Sequence, residues 1–205
     1  MSKIAILGIT GNAGSRIANE LLSRGHSVTG IARDPSKAAA RPGLTLAAAD
    51  ATQAAALAPL LRGHDVVVSA TRFVGGIDAA TLLAAARQAG VPRIAVVGGA
   101  GSLEVAPGVA LIDTPQFPDA YKAEAGAGRV FLQALRSEKD LDWTFLSPSA
   151  LFAPGERTGQ FRLGGDQLLV DAQGNSHISM EDFAIALADE IERPAHARQR
   201  FTVGY

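Results

Sequence analysis

The opening of the chain constrains its fold more than any other stretch. A short apolar run, Ile4-Ala5-Ile6-Leu7, stops at Gly8, and glycines recur at Gly11 and Gly14 as a helical pattern begins. A strand that turns into a helix through such glycines brings backbone N–H groups and a helix N-terminus up to a pyrophosphate. Gly8 permits the tight turn, Gly11 permits close backbone approach, and Gly14 lets the helix pack on the strand. Thr10, Asn12 and Ala13 complete the turn and join the candidate cofactor-binding residues. A glycine triplet alone is weak evidence, and a purely structural turn is the competing reading. Its place between a strand and an amphipathic helix points instead to a dinucleotide site.

Composition narrows the rest. A chain of 205 residues fits one α/β domain spanning residues 1–205, with no internal repeat and no linker. The net charge of −1 offers no electrostatic reason to bind nucleic acid or an anionic membrane. Cysteine is absent, which excludes disulfides, thiolate catalysis and cysteine-ligated zinc. No spacing of His, Asp and Glu suggests a metal. Ser2 and Lys3 lead straight into the first strand, so no signal peptide is expected, and apolar runs end well short of the ~18 residues that cross a bilayer. The expectation is a soluble, cytoplasmic protein with a small-molecule substrate, as a monomer or a homodimer.

Strand-like and helix-like segments alternate, which predicts a doubly wound, mainly parallel sheet flanked by helices. Strands are expected at Val28–Ala32, Leu44–Ala48, Asp65–Ser69, Arg93–Val97 and Trp143–Leu146, the last stopped by Ser147-Pro148. Helices are expected from Asn12 to Gly25, Thr52 to Arg62, Ile77 to Ala89, Asp119 to Ser137 and Met180 to Ile191. Ser179 precedes the last of these as a capping-box start. Gly159 to Asp171 reads as a hairpin, and Arg200 to Val203 as a final strand. Glu181, Asp182, Asp189, Glu190 and Glu192 read as a solvated helix face.

Ligands of such sheets lie beyond the carboxyl ends of the strands. The second strand ends in Ala32-Arg33, and a guanidinium there suits a 2′-phosphate where a carboxylate would repel it. NADP(H) is therefore expected over NAD(H), with Lys37 nearby and Asp34-Pro35 as turn formers. Asp50 and Ala51 end the third strand beside the adenine, though Asp50 can equally cap the following helix. Ser69, Ala70 and Thr71 end the fourth strand, and Gly98 and Gly99 the fifth, so small side chains stand at four successive strand ends.

These residues together resemble the short-chain dehydrogenase/reductase superfamily. More narrowly they resemble its atypical NmrA-like branch of NAD(P)H-flavin reductases, which includes the biliverdin reductase B type. The resemblance rests on Gly8-Ile9-Thr10-Gly11-Asn12-Ala13-Gly14, Arg33, Asp50-Ala51, Val97 to Ser102 and Leu141 to Pro148. It implies a Rossmann-like fold, a pyrophosphate in the first loop and an NADP(H)-selecting arginine. It also implies that Pro148 to Phe152 border the nicotinamide and substrate.

The same resemblance implies a tyrosine and, four residues on, a lysine on the long helix after the fifth strand. Those positions fall near Glu124 and Gly128. Tyr121 and Lys122 are adjacent, so on a helix they diverge by about 100° and cannot form that pair. A flavin ring accepts hydride without a protein acid, so the chain is expected to reduce flavin, as a diffusing substrate, or another planar acceptor such as a quinone or tetrapyrrole. The alternative is an NmrA-like sensor that binds NADP(H) without turnover; an epimerase or dehydratase is a weaker third. Ser102 and Tyr121 are the candidate catalytic residues, and Phe117 and Phe152 are candidate ring walls. The four histidines fall at turns or caps and are not expected to act in catalysis.

Overall fold

Side chains alternate across a central sheet, and that alternation sets the layers. Ile4 and Ile6 of the first strand are buried on one face, Ala5 and Leu7 on the other. The computed structural model describes all 205 residues. In chain order the strands are β1 (Lys3–Leu7), β2 (Ser27–Ala32), β3 (Leu44–Ala48), β4 (Val66–Ser69), β5 (Arg93–Val97), β6 (Glu104–Ala106), β7 (Val109–Ala110), β8 (Asp142–Pro148), β9 (Leu151–Ala153), β10 (Arg162–Gly164), β11 (His177–Ser179) and β12 (Gln199–Gly204). The helices are α1 (Asn12–Ser23), α2 (Ala54–Leu61), α3 (Ala79–Ala89), α4 (Asp119–Arg136) and α5 (Met180–Glu192).

Eight strands form the main sheet in the order β10-β12-β8-β5-β4-β1-β2-β3. Every pair is parallel except β10 with β12 at the edge. Strand order reverses between β1 and β4, so a crevice opens there at the carboxyl ends. Helices α1 and α5 cover one face through Ile17, Leu21, Phe183 and Leu187. Helices α2, α3 and α4 cover the other through Leu57, Leu82, Phe131 and Leu135.

Local signals behave as expected at several element ends. Ser179 accepts the N–H of Asp182 (3.0 Å), and Gly90 closes α3 in the left-handed region at φ +71°. Other boundaries differ. Strand β8 runs through Ser147 and Pro148, because Pro148 pairs in register with Val203 of β12. Residues 159–171 contain only one three-residue strand, β10, which pairs with β12 and not with a hairpin partner. The short strands β6, β7, β9 and β11 were not expected; at two or three residues they carry no readable period.

The acidic residues of α5 do not form one solvated face. Asp182 is fully buried and accepts from Thr158 Oγ1, the Gly159 N–H (2.9 Å) and the Tyr205 hydroxyl (2.7 Å). Burial pushes its pKa up, but those hydrogen bonds outweigh it and hold the carboxyl below its usual range. Glu190 is also buried and meets the buried Arg93 guanidinium at 2.8 Å. It further accepts the His196 N–H (3.0 Å) and pairs with the His196 ring (2.7 Å), which stacks on Phe201. A buried pair this far apart in sequence ties the end of α5 to β5.

Candidate active site

The glycine turn has no room for side chains. Gly8 has φ +84°, and a Cβ there would stand 2.6 Å from the Ala70 carbonyl oxygen. At Gly14 a Cβ would stand 2.2 Å from the Gly8 carbonyl oxygen. Gly11 is looser, at 3.2 Å from the same oxygen, and serves as N-cap of α1 without any side-chain cap. The first-turn N–H groups of α1 therefore lack both intrahelical carbonyls and a cap, beside the exposed Thr10, Gly11 and Asn12. This cradle fits a pyrophosphate.

Arg33 follows β2 directly, is exposed, and makes neither an ion pair nor a hydrogen bond. Lys37 pairs instead with Asp34 (3.9 Å). Asp50 is exposed and accepts from the Thr52 N–H (3.0 Å) and hydroxyl (2.8 Å). Those bonds, with Arg33 nearby, hold its carboxyl below the usual range. Asp50 thus shapes the turn before α2 and is not the helix cap, which is Gln53. Ala51 lies in the same turn.

From the crevice, a cavity of about 650 Å³ extends over the ends of β4, β5 and β8. Its walls are Ala70 to Phe73, Val97 to Ser102, Phe117, the first turns of α4, and Ala150 to Phe152. Of the expected residues, Ala70, Thr71, Gly98, Gly99, Ser102, Tyr121, Phe117 and Phe152 meet here. Two strand-end residues do not: Ser69 is 3% exposed, and Pro148 is buried in β8 two residues short of the wall. Gly98 is small for packing as much as for a ligand, since a Cβ would meet the Phe145 ring at 2.3 Å.

The two candidate catalytic residues differ in placement. Ser102 lines the cavity; its carbonyl accepts from buried Arg200 (3.4 Å), while its hydroxyl has no protein partner. Tyr121 stands on the rim, 65% exposed. Lys122 turns away to Asp119 (2.7 Å) and lines nothing. Glu124 and Gly128, near which the resemblance places a tyrosine and a lysine, both line the cavity. Glu124 accepts the backbone N–H groups of Phe73 (2.7 Å) and Val74 (3.1 Å). At Gly128 a Cβ would meet the Phe73 ring at 3.0 Å, whereas Gly126 has open space.

Phe73 escaped the sequence reading, since one aromatic in a Gly-rich loop carries no periodic signal. None of the four histidines lines the cavity. His26 joins Ser2 and Glu192, and His64 joins Thr29 (2.8 Å). His177 packs on Tyr205 with ring centroids 4.9 Å apart.

A family model described as NAD(P)H-binding matches residues 8–194. The chain belongs to this NAD(P)H-binding family. It has a Rossmann fold, a mostly parallel sheet flanked by five helices. A Burkholderia pseudomallei protein provisionally named as exported is 51% identical, with a TM-score of 0.91 and full coverage of both chains. A provisionally named epimerase from Bacteroides thetaiotaomicron is 41% identical over 100% of this chain and 97% of its own, with a TM-score of 0.93. A Streptococcus pneumoniae protein, provisionally named NADH-flavin reductase, is 35% identical over 100% and 99%, with a TM-score of 0.84. Binding of NAD(P)H and an oxidoreductase-like fold follow for this family member. No helix is long and apolar enough to cross a membrane.

Proposed function

We propose that the protein is an NADPH-dependent reductase that passes hydride to a free flavin or another planar acceptor. The observation that carries this reading is the cavity itself, with aromatic walls at Phe73, Phe117 and Phe152 and no tyrosine-lysine pair. The lysine's place is filled, because the Phe73 ring covers Gly128, and the tyrosine's place holds a carboxylate bonded to backbone. A carbonyl acceptor needs an acid at its oxygen, whereas a flavin needs positioning. NADPH bound in the crevice supplies the hydride. The residues present hold the pyrophosphate on the α1 N-terminus, exclude water with aromatic walls and offer the Ser102 hydroxyl to a polar ring edge.

The name of the pneumococcal neighbour supports this reading. The epimerase name of the Bacteroides neighbour does not carry over easily, since an epimerase needs acid and base groups facing its substrate. Here Tyr121 lies at the exposed rim and Glu124 is occupied. A cytoplasmic location goes with the reductase reading; the name of the Burkholderia neighbour points elsewhere, and cell fractionation checks it.

The first test follows absorbance at 340 nm with NADPH or NADH and FMN as acceptor. Loss of NADPH that depends on both protein and FMN is expected, with no turnover of simple ketones. Micromolar NADPH binding without turnover would overturn the reductase and favour a sensor. Arg33 supports the NADPH preference through its free guanidinium. Arg33→Ala is expected to weaken NADPH about 10- to 100-fold, from a charge-assisted contact of about 1.5–3 kcal/mol, and to leave NADH within about twofold. Equal losses for both nucleotides, measured by calorimetric titration, would remove the phosphate role.

A further inference from the structure

We infer that Glu124 is a positioning residue that sets the aromatic wall of the acceptor cavity by clamping the loop after β4. This inference rests on the reductase reading above. The loop leaves β4 at Ser69 and carries Thr71, Arg72 and Phe73 along the cavity. It has little of its own to hold it there: Arg72 and Val74 are exposed, and Gly75 takes a left-handed φ of +72°. What holds its backbone is one carboxylate on the second turn of α4. Each oxygen of Glu124 takes one backbone N–H, from Phe73 at 2.7 Å and from Val74 at 3.1 Å, and the Arg72 guanidinium lies at 3.4 Å.

The clamp fixes one side chain in particular. With its N–H held, Phe73 lays its ring over Gly128, stacks on Phe145 (centroids 6.1 Å apart, planes 18°) and tilts against Phe131 (5.4 Å). The ring also passes 3.9 Å from where a Gly99 Cβ would lie, so it borders the end of β5, where the cavity floor begins. A carboxylate suits this task because its two oxygens each accept an N–H, which no uncharged side chain at this place does as well. Glu124 therefore acts through the loop whose backbone it holds. It keeps a flat aromatic surface at a fixed height over the floor, and that surface selects acceptors that are themselves flat.

Three variants, Glu124→Ala, Phe73→Ala and the double variant, test this with the full chain, NADPH and FMN. Glu124→Ala is expected to raise the FMN KM about tenfold, equivalent to about 1.4 kcal/mol, with kcat and NADPH affinity changed less than about threefold. The double variant is expected to be no worse than Phe73→Ala alone, because the carboxylate acts through that ring. Amide hydrogen exchange supplies a readout apart from activity: in Glu124→Ala the Phe73 and Val74 amides exchange faster while β1 and β5 amides do not change. Lys122→Ala, whose side chain pairs with Asp119 and does not line the cavity, serves as the unchanged control. Turnover by the wild type with an unaltered FMN KM in Glu124→Ala would overturn the clamp alone, as would additive losses in the double variant. No turnover by the wild type would overturn the reductase reading and this role with it.

Discussion

Gly14→Ala is expected to abolish detectable NADPH binding, a loss of at least about 100-fold, and to destabilise the fold by about 3 kcal/mol. The added Cβ would stand 2.2 Å from the Gly8 carbonyl oxygen and 2.9 Å from its carbon, both rigid backbone. No flexible side chain can yield, so α1 must move away from the end of β1. That movement shifts the uncapped N–H groups that the pyrophosphate needs. Gly11→Ala separates the two consequences. Its Cβ would meet the Gly8 oxygen at 3.2 Å, and its φ of −77° suits any residue, so this variant is expected to fold with near-normal stability. Calorimetric titration with NADPH and thermal unfolding measure the pair. A Gly14→Ala protein with unaltered affinity would show that the cofactor does not sit on this turn.

The second large effect concerns stability without chemistry. Glu190→Ala is expected to cost about 3–5 kcal/mol, because it strands a buried guanidinium. Arg93 is 8% exposed, and its Nε already has no hydrogen-bond partner, so it has little means of compensation. The same substitution releases the N–H groups of Ala195 and His196 that Glu190 holds at 3.2 and 3.0 Å. For a domain of this size the loss corresponds to about 6–20 °C in the unfolding midpoint. Asp119→Ala makes the contrast: its pair with Lys122 is exposed, and its removal is expected to change stability by less than about 1 kcal/mol. A Glu190→Ala midpoint within about 2 °C of wild type would contradict the buried-pair account.

Much of the fold was legible because local periodicity reports local structure. The five parallel strands from β1 to β5 and all five helices appear within a few residues of where short apolar runs and helical patterns place them. Arg33, Thr71 and Ser102 were legible as residues at or just after strand ends, since a parallel sheet delivers every strand end to one side. The acidic run of α5 misled for a physical reason. A carboxylate buried with a partner has the same letter as one in water, and the Arg93 that decides the matter lies 97 residues away.

What the sequence by itself determined is the turn and the class of cofactor. Glycine spacing dictates backbone shape directly, since a missing Cβ acts on the nearest few residues whatever surrounds them. The absent tyrosine-lysine pair belongs to the same level, as two letters at a helical spacing. Only the tertiary structure decided what replaces that pair. Glu124 meets the Phe73 and Val74 backbone across 51 and 50 residues, and Gly128 admits the Phe73 ring, because β4 and α4 converge on one end of the sheet. Such contacts depend on where strand order brings distant segments together, and no local pattern records that.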